Sequence, residues 1–268
     1  MDRYGADALR LWAARARVGA DVRYHEKDVR AGRKVAVKLW NVGRFLERHL
    51  DPDRPPPALP AAELTAVDRW MLSHLADTVD EATAAMERCD VSHAQQAVAR
   101  FFWMVYCDRY LEMVKARFRY PDEHDEHERA STRTALWRSF RTLLGLFAPF
   151  APFVTEDLYQ TWYARHESAV SRHLTTWPQA DDGWRGDRRA IDLMATVLDH
   201  VRAQRTALRL GAGARISELV LHPTTDEAAR LVDEIAEPLR AAAHARKVGH
   251  GPATGDSGVP GLAVDVVP

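Results

Sequence analysis

Around residues 30–46 the apolar side chains Val35, Leu39, Val42 and Leu46 recur at i, i+4, i+7 and i+11. At 100° per residue they fall on one narrow stripe, which predicts a helix with a single buried face. The same reading extends along the chain. Asp7–Arg17 reads as a short helix with Leu9, Trp12 and Ala16 inward, ended by Gly19, with Asp21–Tyr24 extended behind it. Five prolines between Asp51 and Pro60 mark a loop. A long helix follows from about Glu63 to Arg88, its core stripe being Leu64, Val67, Met71, Leu75, Val79, Ala82 and Met86. Asp90 or Ser92 is expected to cap a third helix running to about Phe118, which carries the aromatic block PhePheTrpMetValTyr at 101–106.

Ser131 or Thr132 is expected to cap a fourth helix that ends at Phe147, before AlaProPheAlaProPhe at 148–153. Thr155 is the expected cap of a short fifth helix, with Glu156 and Asp157 in its first turn. Residues 166–186 carry no period. Ile191–Arg209 reads as a sixth helix with Ile191, Met194, Leu198 and Val201 inward, broken by GlyAlaGly at 211–213. Ile216–His222 alternates as a strand, 226–246 is helical, and Leu262–Val267 is a second strand. The expected fold is therefore mainly α, a helical bundle followed by a small α/β module at the C-terminal end.

The outer face of the 30–46 helix changes the picture. Arg30, Arg33, Trp40, Asn41, Arg44 and Arg48 gather opposite the apolar stripe, with Val37 among them and Phe45 at the boundary. Guanidinium groups neutralise phosphate, aromatic rings stack on bases, and amides read base edges, so this mixture suits single-stranded RNA. The competing reading is a bundle helix with a solvated basic face and a Trp packed on a neighbour. Net charge over the 268 residues is only −1, but residues 1–50 hold twelve Lys/Arg against six Asp/Glu. A local basic face, not the overall charge, steers a polyanion.

Other chemistry is sparse. No apolar run approaches a membrane span, and the N-terminus has no signal core, which leads to a cytoplasmic expectation. Cys89 and Cys107 lie in helical patterns without ligand spacing and read as buried thiols. His124 and His127 sit in an acidic loop that reads as solvated rather than as a metal site. Asp108 and Glu112, one helical turn apart near Arg109, Lys115 and Arg117, read as structural ion pairs. The chain has no Gly-rich phosphate loop and no GlyXSerXGly elbow.

Several short motifs nevertheless fall in one family's order. TyrGlyAlaAspAlaLeuArg at 4–10, LysLeuTrpAsn at 38–41 with ArgPhe at 44–45, AspArgTrpMetLeuSer at 68–73 and CysAspArgTyrLeuGlu at 107–112 are similar to class I aminoacyl-tRNA synthetases. So are ProPheValThrGluAspLeu at 152–158 and SerXHis with TrpPro at 171–178. The resemblance is closest to the C-terminal, anticodon-binding part of the valyl-tRNA synthetases. It implies a connecting segment at 1–28, an anticodon-binding bundle at 29–180 and a small α/β module at 186–268.

The resemblance also implies tRNA as the partner, valine tRNA first, held by Arg30, Arg33, Trp40, Asn41, Arg44, Phe45 and Arg48. It implies no catalytic residue, metal or cofactor in this stretch, because the family's HisXGlyHis and LysMetSerLysSer elements and its ATP site belong to a catalytic part that another chain would supply. Membranes and DNA are not expected partners. A free-standing tRNA-binding adaptor and a remnant that folds but binds little stay open as alternatives. A connecting segment without its catalytic neighbour would leave Leu9, Leu11, Trp12 and Val18 as an uncovered apolar patch, with self-association as the consequence.

Overall fold

The computed structural model describes residues 3–17, 19–210, 214–251 and 262–267. The expected Gly211–Gly213 break and Val18 fall outside them. The chain divides into two compact units, Met1–Tyr110 with Pro121–Arg185, and Leu111–Tyr120 with Gly186–Pro268. The first is all-helical and the second is α/β.

In the first unit, α1 (Ala6–Ala14) packs on α2 (Glu26–Leu46). Gly32 makes that approach possible, since a Cβ there would lie 2.5 Å from the backbone oxygen of Ala8. The stripe of α2 is buried as its period requires, with Val29, Val35, Leu39, Val42 and Leu46 at the core. On α1 the inward residues are Ala8 and Leu11, not Leu9 and Trp12, which are half-buried. Leu11 is fully buried, so it does not belong to an uncovered patch. Trp12 meets the exposed Tyr24 edge-on at 5.6 Å. Nine residues give a helix little periodicity to read, and the tertiary partner decides its inward face.

Helix α3 (Ala66–Glu87) is capped by Thr65 and buries Val67, Met71, Leu75, Val79 and Ala82, while Met86 is half-buried. A Schellman closure ends it: Cys89 adopts φ 59°, its N–H reaches the Met86 carbonyl, and the Asp90 N–H reaches that of Ala85, both at 2.9 Å. Cys89 is therefore exposed in a left-handed turn, whereas Cys107 is buried as expected. A side chain in that conformation carries steric cost that glycine lacks. Cys89→Gly should stabilise the protein by roughly 0.5–1 kcal/mol. Thermal unfolding checks this, and a lowered midpoint would contradict it.

Asp90 caps α4 (Val91–Arg100), which passes into a π-helical segment at Phe101–Tyr110. Helix α5 (Leu111–Arg119) groups with the second unit. Asp125, not Ser131 or Thr132, caps α6 (Glu126–Phe147). Those two hydroxyls lie inside the helix, completely buried, and donate to Asp68 of α3. Likewise α7 starts at Pro152 and ends at Trp162, with Thr155 buried inside and Glu156 and Asp157 beyond the first turn. The backbone N–H groups of Phe153 and Val154 at its start are accepted by the Asp7 carboxylate, at 3.2 and 2.8 Å. A side chain from α1 thus does for α7 what a local cap does elsewhere.

The second unit holds a three-stranded sheet in the order β2-β1-β3. Strand β1 (Ile216–Pro223) pairs parallel with β2 (Ala245–His250) and antiparallel with β3 (Leu262–Val267). Helix α9 (Asp226–Ala242) supplies the crossover that a parallel pair needs, and packs on β1, β2 and α5. Helix α8 (Arg189–Ala207) lies against α9 and β3 with Ile191, Met194, Leu198 and Val201 buried. The expected helix at 226–246 is thus too long. It stops at Ala242, His244 turns left-handed at φ 55°, and the rest becomes β2. That strand is an edge carrying Arg246 and Lys247, both exposed, and charged edges lack the apolar alternation by which strands are recognised.

Candidate nucleic-acid interface

Most of the family-like motifs prove to be structural. Asp68 is fully buried at the first turn of α3, where its carboxylate accepts from Tyr110 Oη at 2.7 Å, Ser131 Oγ at 2.6 Å and Thr65 Oγ1 at 2.7 Å. The motifs at 68–73 and 107–112 meet in that contact. The motif at 4–10 reaches the one at 152–158 through Asp7. Residues 171–178 form a strap: Ser171 Oγ and Arg172 N–H donate to Glu156, His173 donates to the Pro152 carbonyl, and Trp177 Nε1 donates to Thr83 Oγ1. Arg172 is buried beneath it, beside Gly145. These residues hold the bundle together.

The outer face of α2 is different. Arg30, Arg33, Trp40, Asn41 and Arg44 are exposed on the helix, as is Arg48 just beyond its end, and Phe45 is half-buried. Trp40 keeps 42% of its surface open and Val37 47%. Trp40 has no ring or cation partner among the described residues, so its indole is not packed against a neighbouring aromatic group. Phe45 meets His49 edge-on at 4.8 Å. Burial, with Arg48 adding to it, lowers the His49 pKa and favours the neutral ring.

The cations follow the same division. Several arginines of the first unit are paired: Arg100 with Glu81, Arg141 with Glu167, Arg129 and Arg133 with Glu126, and Arg185 with Asp77 and Asp80. On α2, Arg33, Lys34 and Arg44 have no ion pair among the described residues. Arg30 acts at longer range on Glu26, whose pKa is lowered first by the Tyr4 hydroxyl and then by Arg3 and Arg30. Unpaired positive charge around an exposed indole is an arrangement that can meet phosphate and base together.

Two contributors to this surface lie outside the residues singled out from sequence. Lys34 is exposed one turn after Arg30, a spacing that the helical period does reveal. Lys38 is half-buried, and its Nζ lies 5.6 Å from the centroid of the Trp103 ring. Elsewhere, His124 bonds Glu128 at 2.9 Å, Glu112 pairs with Lys115, and Asp108 is exposed. No group of three His, Cys, Asp or Glu among the described residues is arranged to hold a metal ion. No helix among them is long and apolar enough to cross a membrane.

A helical bundle with one basic, aromatic helix face is an architecture suited to nucleic-acid recognition, and comparison with known proteins agrees with that class. The chain belongs to the family of anticodon-binding domains of tRNA ligases, whose model matches residues 68–220. Its curated relatives are valine–tRNA ligases. That of Methanopyrus kandleri is 35% identical over 252 residues, covering 92% of this chain and 27% of the relative. That of Thermobifida fusca is 36% identical over 235 residues, covering 86% and 25%. The chain thus spans about a quarter of the length of the relatives it matches. A LeuRS–tRNA–LeuAMS ternary complex from Agrobacterium radiobacter K84 matches at TM-score 0.49 and 18% identity, over 68% of this chain and 20% of that one. Helix α2 lies ahead of the residues that the family model matches.

Proposed function

We propose that this chain binds the anticodon arm of a tRNA, valine tRNA being the partner its relatives suggest, through the outer face of α2. One observation carries the reading: Arg33 and Arg44, which have no ion pair among the described residues, share the outer face of α2 with the exposed Trp40. Phosphate contacts by Arg30, Arg33, Arg44 and Arg48 would position the loop, and Trp40 and Phe45 would stack on its bases while Asn41 reads an edge. Aminoacylation belongs, on this reading, to a longer valine–tRNA ligase acting in the cytoplasm. Its ATP-binding and catalytic groups lie outside these 268 residues, whether joined to them or supplied by another chain, and the present residues hold no cofactor.

Two terms separate in the test. Each phosphate contact contributes about 0.7 to the slope of log K against log salt on single strands, whatever the sequence. Each stacked base contributes roughly 1–3 kcal/mol and depends on the ring. Arg44→Ala should weaken tRNA binding and flatten the salt slope, whereas Trp40→Ala should weaken it with the slope unchanged. Titrations at several salt concentrations measure both. If the two variants bind tRNA like the parent, α2 is scaffold and the reading fails. In parallel, the protein alone should show no valine-dependent exchange between ATP and pyrophosphate; exchange above control, with host enzyme excluded, would refute that part.

A further inference from the structure

The ten residues Phe101–Tyr110 are π-helical. Such geometry is rare, usually confined to a single turn, and frequent at functional sites. Here the widened turns bury Phe101, Phe102, Tyr106, Cys107 and Tyr110 and leave Met104 53% exposed, with Trp103 half-buried beside it. The link to α2 is the Lys38 ammonium over the Trp103 ring. Lys38 has no acidic partner among the described residues. On its own helix it lies between Lys34 and Asn41, so the basic surface of α2 continues through it onto the π-helical segment.

We propose that Trp103 is a second stacking surface of this interface, taking a base of a single-stranded RNA loop, with Lys38 as the cation that holds the adjoining phosphate. The inference rests on the function proposed above and adds a second wall to the same site. In the free protein Lys38 covers one face of the indole. A cation–π contact at a solvent-accessible site is weaker than base–aromatic stacking. A base therefore displaces the ammonium from the ring, and the freed charge turns to the backbone. The exposed Met104 thioether, unbranched and polarizable, adapts to whichever base sits beside it. No bond is made or broken.

The test uses the full chain and an RNA hairpin carrying a valine anticodon loop, labelled in the loop with a fluorescent adenine analogue whose emission stacking quenches. Trp103→Leu should weaken binding on the order of tenfold, abolish the quenching of the base it stacks on, and leave the salt slope unchanged. Lys38→Met should flatten the slope by about 0.7 and keep the quenching. If circular dichroism shows Trp103→Leu to be unfolded, Trp103→Phe decides, because its smaller ring predicts weaker quenching at an unchanged slope. Parent-like affinity and quenching in the folded Trp103 variant overturn the inference. If Arg44→Ala still weakens binding in that case, the α2 site survives alone. If the parent does not bind the hairpin, the site and its second wall both fall.

Discussion

Asp68→Ala is expected to lower the stability of the protein by about 3–5 kcal/mol, because four hydroxyl donors, three of them buried and that of Thr65 half-buried, lose one shared acceptor. The carboxylate has no exposed surface and takes hydrogen bonds from Tyr110, Ser131 and Thr65 at 2.6–2.7 Å. Bonds to a charged acceptor contribute about 1.5–3 kcal/mol each, and each donor left buried without a partner adds a desolvation cost of about 1–3 kcal/mol. The sum overstates the loss, since a freed hydroxyl turns to a nearby carbonyl where it can, as those of Thr78 and Thr142 already do on their own helices. Asp68 also sits in the first turn of α3, where a negative charge offsets the helix dipole. Tyr110→Phe removes one donor and keeps the ring, so it should cost only about 1 kcal/mol. Urea denaturation of the three proteins measures these differences. A loss below about 1 kcal/mol for Asp68→Ala would show that the hydroxyls are satisfied elsewhere and that the motif at 68–73 matters for another reason.

This network also shows what could and could not be read from the chain. The period of 3.6 residues suffices for α2, α3 and α8, because each is long enough for its stripe to repeat and each packs on a core. It also reveals that one face of α2 carries arginines and an indole that the core does not claim. Helix starts were harder. Ser131, Thr132 and Thr155 are good caps by composition, but their hydroxyls are buried within α6 and α7, and Ser131 and Thr132 serve a carboxylate more than sixty residues earlier in the chain. Nothing local separates a hydroxyl that caps from one that bridges helices. The converse holds for Asp7, which satisfies the start of α7 from another helix. Strand β2 was hidden by its charges, and the Lys38–Trp103 contact joins residues 65 positions apart that no periodicity relates.

Leu39→Ala should destabilise the fold by about 2–5 kcal/mol, the usual cost of deleting a fully buried leucine and leaving part of its cavity unfilled. Leu39 has no exposed surface and lies mid-stripe between Val35 and Val42. Helix propensity runs the other way but weakly, since Leu and Ala are both strong formers, so packing decides the sign. Two positions earlier, Val37 is 47% exposed, and Val37→Ala should stay within about 0.5 kcal/mol of the parent. A shift of one residue type by half a turn thus changes the expected loss several-fold, because one face of α2 belongs to the core and the other to solvent. The two faces also part in binding. With total stability typically 5–15 kcal/mol, the leucine variant should remain partly or wholly folded at low temperature. Its tRNA affinity per folded molecule should then equal that of the parent, while Trp40→Ala lowers affinity and barely moves the melting temperature. Measuring melting temperature and affinity on the same samples separates the outcomes. Should Leu39→Ala melt like the parent, the stripe is not the buried face and the geometry of α2, with the interface built on it, is wrong. Should Trp40→Ala lose stability and keep its affinity per folded molecule, the indole is a packing group and the outer face has another use.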